Sequence, residues 1–123
     1  MSSRILVVDD TPANIQTLSA TLKEKGYQIS VATNGKQALE AVKRVRPDLV
    51  LLDVMMPEMD GFEAISRIRR NPKLRKLPII AVTAKAMAGD RERCIQAGAS
   101  DYISKPVDID QLLSLLRIWL YEK

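Results

Sequence analysis

Three carboxylates, a hydroxyl and an ammonium stand where apolar runs of this chain stop. "ILVVDD" (5–10) closes on Asp9 and Asp10, and "LVLLD" (49–53) closes on Asp53. "PIIAVT" (78–83) closes on Thr83, and "DYISK" (101–105) on Ser104 and Lys105. Adjacent carboxylates repel each other unless something positive lies between them or one has a separate task. The plainer reading has Asp10 capping the next helix and Asp9 merely solvated. With Asp53 and Lys105 added, the balance changes. Three carboxylates at close range are not all ionised cheaply without a cation. An all-oxygen donor set, with no histidine or thiolate, selects a hard ion, Mg²⁺.

These residues meet only if the elements before them are neighbours. "ILVV" (5–8), "QISVA" (28–32), "LVLL" (49–52), "PIIAV" (78–82) and "DYIS" (101–104) read as strands. The first, third and fourth are continuous apolar runs, the mark of strands covered on both faces. Helical patterns separate them. Ile15, Leu18 and Leu22 share a face, after the start signal Thr11-Pro12 and before Gly26 as a stop. Ala38, Leu39 and Val42 line a second helix ending at Pro47, and Phe62, Ile65 and Ile68 a third that Gly61 opens. Met87, Cys94 and Ala97 mark a weaker fourth that Gly98 ends. Ile109, Leu112, Leu113 and Leu116 line the fifth, with Asp108 and Gln111 as a capping-box pair.

Alternating strands and helices predict an α/β fold, a doubly wound five-stranded parallel sheet with right-handed crossovers. In the order 2-1-3-4-5, strands 1, 3, 4 and 5 are consecutive and strand 2 is an edge. All polar ends then share one rim, and the bland end of strand 2, Ala32-Thr33, falls outside it. Ligands bind at such a rim, where the strand order reverses.

Bulk properties remove other classes. A length of 123 residues suits one domain, expected to span 1–123. A composition 46% hydrophobic and 28% charged is that of a globular chain. No strictly apolar run exceeds four residues, which argues against a membrane span. The lone Cys94 precludes an internal disulfide, so a reducing, cytoplasmic setting is expected. The absence of histidine excludes histidine triads and phosphohistidine on this chain itself. A net charge of +4, with six basic residues between Arg67 and Lys76, invites a nucleic-acid reading. No aromatics interleave with them, so a solvated helix end is the better account and no direct nucleic-acid partner is expected.

"VVDD", "LVLLDVMMPEMDGFE", "IIAVTA" and "DYISKP" together resemble the receiver domain of two-component and phosphorelay response regulators, chemotaxis-regulator-like, across essentially the whole chain. The resemblance implies the (βα)5 flavodoxin-like fold reached independently above. It also implies that Asp53 is the phosphoacceptor, taking a phosphoryl group from a phosphohistidine on a sensor histidine kinase or histidine phosphotransfer protein. Mg²⁺ would be held by Asp10, Asp53 and the Met55 backbone carbonyl, with Asp9 direct or through water. Lys105 would meet a phosphoryl oxygen as a point charge, and Thr83 would offer its hydroxyl. The chain would catalyse its own phosphoryl transfer and autodephosphorylation while acting as a switch rather than an enzyme. Tyr102 would turn inward as Thr83 moves, reshaping the helix 4–strand 5–helix 5 face for a downstream protein; otherwise it is a half-buried strand tyrosine. Pro106 would follow a cis peptide that directs Lys105.

Rival readings are weaker. Haloacid-dehalogenase-like phosphatases carry Asp-x-Asp after strand 1, whereas this chain has Asp-Asp there and its best nucleophile after strand 3. The five glycines form neither G-x-G-x-x-G nor a P-loop. A pseudo-receiver would lack an acid or the lysine. Met55, Met56 and Met59 are expected to pack in the loop, Cys94 in the core, and Trp119 and Tyr121 to pack or make a mild exposed contact. Since the sequence stops after helix 5, the expectation is a stand-alone receiver or one from a larger protein such as a hybrid kinase.

Overall fold

Continuous apolar runs are stable as strands only when both faces are covered, and the central strands here meet that condition. The computed structural model describes residues 3–54, 61–83 and 90–121. In order, β1 (Arg4–Val8), α1 (Pro12–Glu24), β2 (Gln28–Ala32), α2 (Gly35–Val45), β3 (Leu49–Asp53) and α3 (Gly61–Arg69) are followed, past a short 3-10 turn at Pro72–Leu74, by β4 (Ile79–Thr83), α4 (Asp90–Ala97), β5 (Asp101–Ser104) and α5 (Ile109–Tyr121). The five strands form one sheet in the order β2-β1-β3-β4-β5, and all neighbours are parallel. Every residue of β3 and β4 is buried, and β2, at the edge, is only partly covered.

Pleating sorts the core into two layers. Leu6, Val8, Val50, Leu52, Ile79 and Ala81 face one side, where Ala38, Val42, Ile65, Ile68 and Cys94 cover them. Ile5, Val7, Leu49, Leu51, Ile80 and Val82 face the other, under Leu18, Leu22, Leu112 and Leu116. Burying each large aliphatic side chain contributes roughly 1.5–3 kcal/mol, so the strands that carry the rim are held firmly. Among the described residues, the expected helical faces and Cys94 are placed as the periodicity predicts, except Ile15, which is half-buried outside both layers. Met87, Met55, Met56 and Met59 lie outside the described residues.

Local chemistry explains the boundaries. Asn34 Oδ1 accepts from the Gln37 backbone N–H at 2.8 Å, while Gln37 Oε1 accepts from both the N–H and the hydroxyl of Thr33 at 2.8 Å. This reciprocal cap occupies the end of β2 and explains why that end offers no chemistry. Asp108 Oδ1 accepts from the Gln111 N–H at 3.1 Å at the start of α5. Gly26 and Gly98 stop α1 and α4 with φ of 94° and 116°, values that L side chains rarely adopt. Arg46 ends α2 in the left-handed region, at φ 53° and ψ 65°, where a non-glycine residue costs roughly 1–2 kcal/mol.

The basic run is not uniformly a solvated helix end. Arg67 pairs with Glu63 on the surface of α3 at 3.0 Å. Arg69 turns inward instead: Nε donates to the Gly98 carbonyl at 2.7 Å, one terminal nitrogen to the Leu74 carbonyl at 2.7 Å, and the other to Ser100 Oγ at 3.2 Å. Burial lowers its pKa from the ordinary arginine value. A Cβ on Gly98 would stand 2.5 Å from Arg69 Cγ, so that glycine also makes room for the clasp. Arg69 therefore ties α3 to the start of β5 and is unavailable to a ligand.

Candidate functional site

The ladder of the sheet runs one residue past the strand ends and so aims the rim. Asp9 N–H donates to the Ala32 carbonyl at 3.1 Å, Val54 N–H to Val82 at 3.0 Å, and Lys105 N–H to Thr83 at 2.7 Å. Asp9 and Asp53 are buried at 3% and 2% exposure, while Asp10 is exposed. Oxygens of Asp9, Asp10 and Asp53 all lie within 4.8 Å of one another. Two buried carboxylates beside a third that reaches solvent make an oxygen donor set within the reach of one ion. This chemistry fits a hard divalent cation that retains several waters.

Among the described residues, the cation at the rim is Lys105. Its Nζ stands 3.0 Å from Asp53 Oδ2 and 3.6 Å from Asp9 Oδ2. Partial burial pulls its pKa down, but the hydrogen bond to Asp53 and the charges of Asp53 and Asp9 outweigh this, and the net shift is upward. The Lys105–Pro106 peptide is cis, as expected.

The plainer account of Asp9 and Asp10 does not survive. Thr11, not Asp10, is the N-cap of α1. Asp9 is held rather than solvated: Oδ1 accepts from the Thr11 N–H at 2.9 Å and Oδ2 from Asn14 Nδ2 at 3.3 Å. Asn14 was missed in the sequence. Its signal was a polar amide in the first turn of the helix that leaves the rim, where a side chain points back over the strand end.

Gly61 does more than open α3. A Cβ there would collide with Val54 Cα and come within 2.7 Å of the Asp53 carbonyl oxygen and Leu52 Cδ2. Its N–H donates to the Val54 carbonyl at 3.3 Å. Gly61, the first residue of α3, thus rests on the backbone of Asp53 and Val54, and only glycine permits that approach.

Strand parity divides the site. Asp9 and Asp53 follow the odd-numbered residues Val7 and Leu51 and share the α1/α5 side of the sheet. Thr83 and Tyr102 follow the other parity: β4 and β5 pair Ala81 with Tyr102 and Thr83 with Ser104, and half-buried Tyr102 packs in the layer with Ala81. Thr83 is buried. Asp9 and Asp53 therefore sit on the opposite sheet face from the expected switch residues, at the same rim. A groove of about 550 Å³ opens beside the carboxylate half, bordered by Asp9, Asn14, Leu18, Lys105, Pro106 and Ile109. Trp119 packs on the same layer and Nε1 donates to Asp101 Oδ2 at 3.2 Å, an anchor between α5 and β5. Met55 lies outside the described residues, as does the Tyr121 side chain.

With fold and site in place, comparison with known proteins assigns the family. The chain belongs to the response regulator receiver domains of two-component signalling, whose family model matches residues 5–117. It is 44% identical over 117 residues to the response regulator PleD of Caulobacter vibrioides, covering 95% of this chain but only 26% of PleD. It is 35% identical to the polar-differentiation response regulator DivK of Brucella anthropi, covering 98% of both chains. Among solved structures, the receiver domain of sensor histidine kinase PA1611 from Pseudomonas aeruginosa, with magnesium coordinated in its active-site cleft, superposes with a TM-score of 0.89 at 39% identity over 98% of each chain. The Saccharomyces cerevisiae Ssk1 receiver, in complex with the histidine phosphotransfer protein Ypd1, superposes with a TM-score of 0.90 at 26% identity, over 97% of this chain and 89% of that one. No helix among the described residues is long and apolar enough to cross a membrane.

Proposed function

We propose that the chain is a single receiver domain over 1–123, acting in the cytoplasm as a switch that takes a phosphoryl group onto Asp53. The observation that carries this reading is the position of Lys105 Nζ, 3.0 Å from Asp53 Oδ2 inside a cluster of three carboxylates. The donor is a phosphohistidine on a sensor histidine kinase or histidine phosphotransfer protein. A carboxylate oxygen of Asp53 forms the new O–P bond as the N–P bond breaks, and the electron pair returns to the imidazole, which takes up a proton. A carboxylate needs no general base for this; it needs the incoming charge neutralised.

Mg²⁺ fits the oxygen set, with Asp10, Asp53 and the Met55 carbonyl as ligands and Asp9 direct or through water; when bound it neutralises phosphoryl charge. Asn14 and the Thr11 N–H orient Asp9. Lys105, released from Asp53, pairs with a phosphoryl oxygen, and Thr83 offers its hydroxyl to another. Autodephosphorylation uses the same site with water as the acceptor. The groove beside Asp9 and Lys105 admits the donor protein, and the α4–β5–α5 face, through Tyr102, carries the signal to a downstream protein.

The test is a mass measurement. Acetyl phosphate and Mg²⁺ should add one phosphoryl group, and Asp53→Asn should abolish the gain. Asp10→Ala should slow the gain and weaken Mg²⁺ binding. A full-rate gain in Asp53→Asn would overturn the assignment.

A further inference from the structure

The rim opposite the carboxylates, at the amino ends of β3 and β4, carries a groove of about 650 Å³ that the receiver chemistry does not use. Pro47 and Asp48 precede β3 and Pro78 precedes β4, so the groove lies a full strand away from Asp53, roughly 16 Å at about 3.3 Å per residue. Its apolar lining is exposed at Leu74 and Leu77, over the buried Val42 and Pro78, and its border carries Lys43, Arg46, Lys73 and Lys76. Among the described residues, no salt bridge engages any of these four cations. Asp48, the one acidic residue of the lining, is turned to the Arg4 backbone N–H, from which its Oδ2 accepts at 2.8 Å, so the four cations outnumber it. A smaller groove of about 280 Å³ continues from Lys43 and Leu74 between α2 and α3, with Leu39 and Ile68 below and Arg70 at its side.

A second observation singles out the same place. Arg46 is the one non-glycine residue among those described with positive φ. Glycine would close α2 there without strain, yet a long cation stands at the groove border instead. Strained positions of this kind cluster at functional sites.

We propose that this groove binds an extended acidic peptide segment of a partner protein, whose carboxylates meet Lys43, Arg46, Lys73 and Lys76 while interspersed apolar side chains rest on the half-buried Leu74 and Leu77. The apolar floor has no use for a phosphate backbone, and the lining contains no aromatic residue on which bases would stack. A membrane surface would meet a convex basic face, whereas these charges border a concavity. Opposite charge at the border would supply steering and specificity, and the floor would supply burial.

The probe is a fluorescently labelled peptide of alternating glutamate and leucine, titrated by anisotropy, with a lysine-leucine peptide as control. The acidic peptide should bind saturably, and more weakly as salt rises. Lys43→Glu combined with Lys73→Glu should weaken binding by at least about tenfold. Arg46→Gly separates the function of Arg46 from its structural role: it relieves the left-handed strain, so melting temperature should rise or hold while peptide affinity falls. Binding should be indifferent to Asp53→Asn, which keeps it distinct from the receiver chemistry. No saturable binding, equal binding by the charge-reversed protein, or equal binding of the lysine-leucine peptide overturns the proposal. So does binding confined to a duplex oligonucleotide or to vesicles containing phosphatidylserine.

Discussion

Asn14 Nδ2 donates to Asp9 Oδ2 at 3.3 Å, the same oxygen that faces Lys105 Nζ at 3.6 Å. One carboxylate oxygen of the site is therefore shared between an amide on α1 and an ammonium after β5. Asn14→Ala should leave Asp9 free to rotate toward Lys105. The expected result is Mg²⁺ affinity lowered a few-fold, with stability changed by about 1 kcal/mol or less. Isothermal titration of Mg²⁺, with a urea melt alongside, checks both. Unaltered affinity would mean that the Thr11 N–H alone suffices to orient Asp9.

Lys105 titrates above its ordinary value because two carboxylates favour its charged form more than partial burial disfavours it. A group with a raised folded pKa stabilises the fold at every pH below its unfolded value, roughly 10.4 for lysine. That contribution disappears as pH climbs through the folded value. Lys105→Met should therefore be less stable than the parent at neutral pH, and the gap should close in strongly alkaline solution. Thermal melts from neutral to alkaline pH, without Mg²⁺, measure this. A gap that widens with pH would contradict the sign.

Gly61 meets the backbone of Asp53 and Val54 with no space for a methyl group. Gly61→Ala should cost about 1–3 kcal/mol through overpacking and displace the Asp53 carbonyl. Phosphorylation by acetyl phosphate should slow by more than the stability loss explains. Single-turnover rates at temperatures where both proteins are fully folded separate the two effects.

Tyr102 shares the sheet face of Ala81 and sits two register pairs from Thr83, the next position on that face. If Thr83 moves toward phosphate, Tyr102 is the bulky neighbour on that face able to follow. Tyr102→Ala should still accept phosphate on Asp53 but lose the gain in partner affinity on phosphorylation, a coupling of about 1–3 kcal/mol. Binding of the cognate partner with and without beryllofluoride reads it out. An undiminished gain would remove Tyr102 from the switch.

Much of this was legible in the sequence because it depends on short-range pattern. The apolar runs at 5–8, 49–52 and 79–82 are buried on both faces, so their periodicity reports the sheet directly. Because parallel strands all point one way, the residues that close them share one rim; spacing along the chain therefore groups Asp9, Asp10, Asp53, Thr83 and Lys105. Tertiary structure decided what depends on side-chain direction across elements. It turned Arg69 from a presumed surface charge into a clasp on Gly98 and Ser100. It brought Asn14 over Asp9, and it set Gly61 against the Asp53 backbone. It also placed Asp9 and Asp53 on the opposite sheet face from Thr83 and Tyr102. Linear spacing predicts which residues reach an end of the sheet; which atoms meet there depends on packing between helices far apart in the chain, and no local pattern encodes that.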